Sequence, residues 1–132
     1  MPRFSPASLK RLESVHPDLQ TVFHHVVIDF DCTVLEGVRT AERQHLLYTK
    51  GRPDNGPIVT QRDGIIKRSK HQDGLAVDVV PFPIDWDDTD HMRSLGWYVK
   101  GIARMLKQYG AIDNDIKWGG DWRFIDLPHF EI

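Results

Sequence analysis

An apolar run at residues 75–82 (LAVDVVPF) most constrains what this chain can fold into. Apolar residues occupy both alternating faces of the run, which is typical of a strand covered on both sides. Asp78 is the one charged residue in it. A carboxylate among apolar side chains costs several kcal/mol unless a cation or several hydrogen-bond donors compensate it. We therefore expect a positive group beside Asp78.

The chain is long enough for one self-sufficient domain. A chain of 132 residues can bury roughly two-thirds of the surface that its unfolded form exposes, without disulfide or metal staples. The only cysteine, Cys32, has no partner for an internal disulfide and is expected to be a small buried side chain.

Charge and hydropathy argue against two classes of partner. The chain carries 17 Lys and Arg against 19 Asp and Glu, so it has no overall basic field to attract nucleic acid or anionic lipid. No run approaches the roughly 20 apolar residues of a membrane span, and the N-terminal residues lack the apolar core of a signal peptide. We expect neither nucleic-acid binding nor membrane insertion, and a protein that starts in the cytoplasm.

Helices and strands are predicted from capping residues and hydrophobic spacing. Ser5, Pro17 and Thr40 are expected to begin helices, the last of which ends near residue 48, and a longer helix is expected over residues 92–106. Strands are expected at residues 28–38 and 75–82, and short strands in the tail at residues 112–132.

Two histidines are candidate partners for Asp78. His71 stands seven residues before it, and His129 lies in an apolar terminal segment, DLPHF. Imidazole and carboxylate together suit Zn²⁺, and a catalytic zinc site uses three protein ligands and leaves a position for water. The simpler alternatives are that Asp78 is a buried hydrogen-bond acceptor or a partner of Arg39, and that His129 is a packed core residue.

A second carboxylate, Asp126, precedes His129 by three residues. Pro128 lies between them and argues against an ordinary helix, so we expect a bent or strand-edge arrangement of this segment.

Together these residues resemble the zinc peptidases of peptidoglycan. The pattern S-x-H-x-x-G-x-A-x-D at residues 69–78 is followed by D-x-x-H at residues 126–129. Residues 36–44 (EGVRTAERQ) and 118–122 (WGGDW) are further matches, so the resemblance runs from about residue 36 to the end. The family contains D-alanyl-D-alanine carboxypeptidases and dipeptidases, and the L-alanyl-D-glutamate endopeptidase endolysins of bacteriophages.

The resemblance implies a role for each matching position: His71, Asp78 and His129 as ligands of one zinc ion, Asp126 as general base, and Arg39 as the group that polarises the scissile carbonyl. An ion pair of Arg39 with Glu36 or Glu42 is an equally weighted alternative.

Several other residues are candidates for contacts with the substrate or a second ion. Ser69, Trp118 and Trp122 are predicted to contact the substrate, with a capping role for the serine and a core role for the tryptophans as alternatives. Lys67, Arg68 and Lys70 could attract carboxylates of the stem peptide or form a solvated face. A calcium ion could bind the acidic loop of Asp85, Asp87, Asp88 and Asp90, although this loop lacks EF-hand spacing.

The residues around His129 favour one branch of the family. Carboxypeptidases and dipeptidases more often carry glutamate and tryptophan where this chain has Asp126 and Pro128. We therefore expect a phage or prophage endolysin that cleaves the stem peptide, with L-alanyl-D-glutamate as the expected bond, and that stays in the host cytoplasm until it is released to the cell wall. The alternatives are a D-alanyl-D-alanine carboxypeptidase or dipeptidase, and a non-catalytic wall-binding module.

With the resemblance, the order of elements predicts an α+β fold. We expect a small, mainly antiparallel sheet with helices packed on one face and the zinc in a groove at its edge. Residues 1–132 are expected to form a single catalytic peptidase domain that acts as a monomer, without a separate cell-wall-binding domain.

Overall fold

A computed structural model of the chain describes residues 2–50, 52, 57–58, 60, 62–64 and 68–132. The elements in chain order are α1 (Pro6–Glu13), α2 (Pro17–Asp29), β1 (Cys32–Glu36), α3 (Ala41–Tyr48), β2 (Ala76–Pro81), α4 (Thr89–Gln108), β3 (Lys117–Trp118), a short 3-10 helix (Gly119–Asp121) and β4 (His129–Glu131). The strands form one sheet in the order β1-β2-β4-β3, and each neighbouring pair is antiparallel. The predicted α+β fold is confirmed.

The hydrophobic core lies between the sheet and the helices. Val77 and Val79 of β2 and Phe130 of β4 belong to one cluster of buried side chains with residues of α1, α2 and α4. Successive side chains of a strand point to opposite faces, so Asp78 points away from this cluster. Helices α1, α2 and α4 thus cover one face of the sheet, and Asp78 is carried on the other.

Two of the predicted strands differ from the observed ones. The first was expected to begin at residue 28, but Phe30 N–H donates to the Val26 carbonyl, which extends α2 to Asp29. The second was expected to be covered on both sides, and this is true of Ala76 and Val80. Asp78, the expected exception in this run, keeps 21% of its side-chain surface exposed toward a groove, and the strand itself spans Ala76–Pro81.

A β-bulge in β1 decides which residue lies beside Asp78. Val34 pairs with Val79, but the next pair along the ladder is Glu36 with Asp78, so Leu35 is the extra residue. Directly opposed residues of antiparallel strands share a face. The bulge therefore places the Glu36 carboxylate, and not the Leu35 side chain, on the groove face next to Asp78.

The predicted helix starts are confirmed by their hydrogen bonds. Ser5 Oγ accepts from Ser8 N–H at 3.2 Å, and Thr40 Oγ1 accepts from Arg43 N–H at 3.1 Å. At the start of α2, His16 Nδ1 accepts from Asp18 N–H at 3.0 Å. Among the helices of the described residues, none has the length and apolar character that crossing a bilayer requires.

Asp18 ties the start of α2 to the segment that follows α4. Its Oδ2 accepts from the backbone N–H groups of Asp113 and Asn114, both at 3.0 Å, and from Asn114 Nδ2 at 2.9 Å. Burial raises the pKa of Asp18, but the hydrogen bonds from Asn114 and Asp113 outweigh burial and lower it. The resulting stabilisation is present above the unfolded-state pKa, about 3.9, and is lost as the pH falls through the lower folded-state pKa.

We expect Asp18→Ala to reduce the free energy of unfolding at pH 7 by about 1–3 kcal/mol, because three N–H donors lose their charged acceptor. Urea denaturation should show the loss at pH 7 and a smaller difference from the parent below about pH 4. Asp29→Ala, at the exposed end of the same helix, is the control. A difference that stays constant between these pH values would argue against the carboxylate's role.

Candidate metal centre

Three side chains meet on the groove face of the sheet. His71 lies in the turn before β2, Asp78 is in the middle of β2, and His129 opens β4 directly opposite Asp78 in the ladder. One ligand atom from each lies within 4.8 Å of the other two. Within the described ranges, no other group of three His, Cys, Asp or Glu side chains meets this condition.

The Asp78 carboxylate joins the two imidazole rings. His71 Nε2 lies 3.2 Å from Asp78 Oδ1, and His129 Nδ1 lies 3.3 Å from the same oxygen. The rings are edge to face, with their centroids 5.0 Å apart. Both histidines are buried, so the geometry of the cluster is held by the surrounding protein.

The second nitrogen of each ring has an acceptor of its own. His71 Nδ1 lies 3.0 Å from the Gly37 carbonyl oxygen, and His129 Nε2 lies 2.8 Å from Glu131 Oε1. Carbonyl and carboxylate oxygens only accept, so each ring can donate an N–H on that side. In the neutral tautomer that does so, the other nitrogen is available to a metal. This is the usual arrangement of metal-binding histidines. The two nitrogens and the carboxylate oxygen fit Zn²⁺.

The positive groups predicted beside Asp78 are His129 and Arg39. Burial by itself lowers the pKa of His129, but hydrogen bonds with Asp78 and Glu131 raise it to about 9. Burial raises the pKa of Asp78, but hydrogen bonds from His129 and His71 outweigh it and bring it well below its usual range. Arg39 Nη2 lies 3.7 Å from Asp78 Oδ2.

Asp126 lies beside the cluster on its open side. Its Oδ2 is 3.9 Å from His129 Nδ1, and 42% of its side chain is exposed in the groove. Burial and the charge of Asp78 raise the pKa of Asp126. The backbone holds it in place, since Asp126 N–H donates to the Gly119 carbonyl at 2.9 Å and the Asp126 carbonyl accepts from His129 N–H at 3.2 Å. This turn, followed by β4, is the bent strand-edge segment expected from Pro128.

The close approach of Asp126 to Gly119 requires a glycine there. A Cβ on Gly119 would overlap the Asp126 carbonyl oxygen. The WGGDW segment therefore supports the backbone that carries Asp126, in addition to contributing an aromatic side chain to the groove.

Arg39 is fixed by two partners. Its Nε and Nη2 each donate to Glu36 at 2.8 Å, and its Nη1 donates to Gln44 Oε1 at 2.7 Å. The ion pair of Arg39 with Glu36, which was the alternative to a role in catalysis, is thus present in the structure. A guanidinium has five N–H donors, so these contacts leave donors that can face the groove, which Arg39 lines.

Sequence reasoning missed two residues of this network. Gln44 is fully buried and links Arg39 to the loop beyond α3, because its Nε2 donates to Thr60 Oγ1 at 3.1 Å and to the Arg62 carbonyl at 2.7 Å. The other missed residue is Glu131, the acceptor for His129. Its signal was available, since residues two apart on a strand share a face.

The predicted substrate contacts separate into two sets. Ser69 and Trp122 line the groove, which has a volume of about 410 Å³, and the Trp122 ring centroid lies 5.0 Å from that of His129. Trp118 instead lies in the core, stacked on Phe130, and its Nε1 donates to a backbone carbonyl at 2.8 Å. Trp118 thus has the core position named as the alternative, and it is not among the residues that line the groove.

The basic residues near Ser69 also differ in position. Lys70 lines the groove, and its Nζ donates to the Ile132 carbonyl at 2.8 Å. Arg68 is exposed and pairs with Asp73 at 2.8 Å. Lys67 lies outside the described residues.

The structure gives the calcium alternative no support. The four aspartates at residues 85–90 are described, but they are not gathered into a ligand cluster. Asp88 Oδ1 instead caps α4 by accepting from His91 N–H at 3.1 Å, and Asp85 Oδ1 accepts from Asp87 N–H at 3.0 Å.

Known proteins resemble this chain in sequence and in fold. The family model described as phage L-alanyl-D-glutamate peptidase matches residues 1–132. Peptidoglycan L-alanyl-D-glutamate endopeptidase CwlK of Bacillus subtilis (strain 168) is 33% identical over 111 residues, which cover 77% of this chain and 60% of CwlK. The chain thus spans less than two-thirds of the length of this relative.

Two solved structures resemble the fold. The L-Ala D-Glu endopeptidase ChiX of Serratia marcescens is 29% identical with a TM-score of 0.76, and the match covers 99% of this chain and 90% of ChiX. The D,D-pentapeptidase VanY from a VanB-type vancomycin resistance cassette, solved with Zn(II), is 19% identical with a TM-score of 0.51 over 92% of this chain and 70% of VanY. The resemblance found in the sequence is confirmed, and the chain belongs to the phage L-alanyl-D-glutamate peptidase family.

Proposed function

We propose that this chain is a zinc peptidase that hydrolyses an amide bond of the peptidoglycan stem peptide, with L-alanyl-D-glutamate as the expected bond. The observation that carries the proposal is the carboxylate of Asp126 beside three clustered ligand atoms, at the wall of an open groove. Family membership supplies the class of substrate. The proposed biological role is that of a phage or prophage endolysin in host lysis, which would stay in the host cytoplasm until its release to the wall.

His71, Asp78 and His129 would hold the ion. A bound zinc ion lowers the pKa of its water toward 7 and polarises the carbonyl of the scissile amide. The open side of the cluster faces the groove, where a peptide can approach.

Asp126 is the proposed general base. Its carboxylate takes a proton from the attacking water and passes it to the leaving amine of the substrate. The position of Asp126 supports this relay, because its carboxylate lies beside the ligand atoms and 42% of its side chain is exposed in the groove, where water and substrate can reach it.

Arg39 is proposed to stabilise the negative charge that grows on the carbonyl oxygen. Its contacts with Glu36 and Gln44 support this role, since a donor that is already held in place needs no reorganisation as the charge develops. Ser69 and Trp122 are the proposed substrate contacts at the groove wall. We further propose that residues 1–132 act as one catalytic domain and as a monomer.

Mass spectrometry of purified peptidoglycan after digestion tests the proposed reaction. An L-alanyl-D-glutamate endopeptidase should release peptides that begin with D-glutamate. Release of single D-alanine would instead identify a carboxypeptidase, and the absence of any released fragment would identify a non-catalytic module. Either of these results would overturn the proposed function.

A further inference from the structure

Glu131 is a groove residue to which the proposed reaction assigns no role. It follows His129 by two positions on β4, so the two side chains share a face of the sheet. Its Oε1 lies 2.8 Å from His129 Nε2, and only 13% of its side chain is exposed. A carboxylate that is this close and this shielded is a strong acceptor for the ring N–H.

Two carboxylates compete for the ring protons of His129. Asp78 Oδ1 lies 3.3 Å from Nδ1, and Glu131 Oε1 lies 2.8 Å from Nε2. A neutral imidazole carries one proton, and the nitrogen without it is the one that can bind a metal. Without Glu131, the tautomer with its proton on Nδ1, donated to Asp78, becomes more favourable. That tautomer turns an N–H toward the ligand cluster and cannot bind a cation through Nδ1.

His71 provides an internal comparison. Its outer nitrogen, Nδ1, donates to a backbone carbonyl, that of Gly37. The outer nitrogen of His129 has a charged side chain as its acceptor, which both fixes the tautomer and makes the ring a stronger base toward a cation. Of the two histidines, His129 is therefore the one whose orientation depends on a replaceable side chain.

Glu131 is placed beyond the ring and not among the ligands. Its Oε1 approaches Nε2 of His129, whereas Asp78 Oδ1 approaches Nδ1 of the same ring. Glu131 is not one of the three clustered ligand residues. Two lysines act on its carboxylate electrostatically, Lys70 and Lys117, and Lys117 is also its partner in the β3–β4 ladder. The alternative explanation is that Glu131 contributes only to strand pairing or to surface charge and has no effect on zinc binding.

We propose that Glu131 is a positioning residue that keeps the proton of His129 on Nε2, so that Nδ1 is presented to the zinc ion. The inference rests on the proposed function, because it assumes that the cluster of His71, Asp78 and His129 binds zinc.

Zinc dissociation constants of three variants test the proposal, measured by competition with a chromophoric chelator. Glu131→Ala should bind zinc about 10- to 100-fold more weakly than the parent. Glu131→Gln keeps an oxygen acceptor and should lose less. Asp115→Asn removes an exposed carboxylate outside the groove, which pairs with Lys107 at 2.7 Å, and should bind zinc like the parent.

Proton NMR of the zinc-loaded protein gives a second readout that is independent of activity. The His129 Nε2–H should give a downfield resonance protected from exchange, retained in the glutamine variant and lost in the alanine variant. Thermal unfolding of the metal-free variants checks that each one folds.

The outcomes separate this inference from the proposed function. A parent protein that binds no zinc would overturn both. If the parent binds zinc and Glu131→Ala binds it equally tightly, the positioning role alone is wrong. It is also wrong if the glutamine variant is as weak as the alanine variant, because charge and not the acceptor would then be responsible.

Discussion

Replacing Asp126 by asparagine should lower kcat for stem-peptide hydrolysis by about 100- to 10,000-fold, the usual contribution of a positioned acid or base. Asparagine is nearly the same size, so it should keep the backbone contacts with Gly119 and His129. It cannot accept a proton from water at neutral pH. Zinc binding should be retained, because Asp126 is not one of the three clustered ligands.

Two measurements on the same preparation make this test decisive. The zinc content of purified Asp126→Asn should equal that of the parent, while the rate of fragment release from peptidoglycan falls. Asp121→Asn is the matched control, because Asp121 lies in the preceding turn and pairs with Lys100 at 2.6 Å. Near-normal turnover by the Asp126 variant would exclude it as the base, and loss of zinc would mean that it acts as a ligand.

Much of the candidate site follows from local sequence. A charge inside an apolar strand requires compensation, and this requirement alone draws attention to Asp78. Its pairing with His71 and His129 could be predicted because His129 lies in an apolar segment and both histidines belong to the pattern that resembles the zinc peptidases. The helix caps are equally local, since the capping side chain accepts from an N–H only two or three residues further along the chain.

The features that could not be predicted depend on contacts between distant segments. The bulge at Leu35 depends on the register between β1 and β2, and no local preference of residues 32–36 fixes that register. The core position of Trp118 depends on Gly96 and Gly120, because a Cβ on either glycine would overlap the indole ring. Nothing in WGGDW itself distinguishes this tryptophan from Trp122, which lines the groove.

Gln44 illustrates the same limit. Gln44 stands in the motif, but its partners Thr60 and Arg62 lie in a loop whose path the sequence does not define. A polar residue that is buried by distant partners resembles an ordinary helix residue until those partners are known.

Removal of metal should abolish hydrolysis by this chain, and zinc should restore it. Without a cation, Asp126 has no activated water from which to take a proton, and the scissile carbonyl loses its main electrophilic partner. Exhaustive dialysis against a chelator should therefore reduce peptide release by at least about 100-fold, and stoichiometric Zn²⁺ should recover it. Because zinc binds the folded state and not the unfolded chain, it should also raise the Tm, by an amount that increases with the concentration of free zinc.

Two histidine variants test whether the effect of zinc depends on the cluster of His71, Asp78 and His129. His71→Ala removes a ligand atom and should abolish both the zinc-dependent activity and the zinc-dependent rise in Tm. His25→Ala is the control, because His25 is exposed on α2 and its ring contacts the Thr21 carbonyl of the same helix. Activity that survives complete metal removal would contradict the mechanism. Zinc-dependent activity in His71→Ala would show that the ion binds elsewhere.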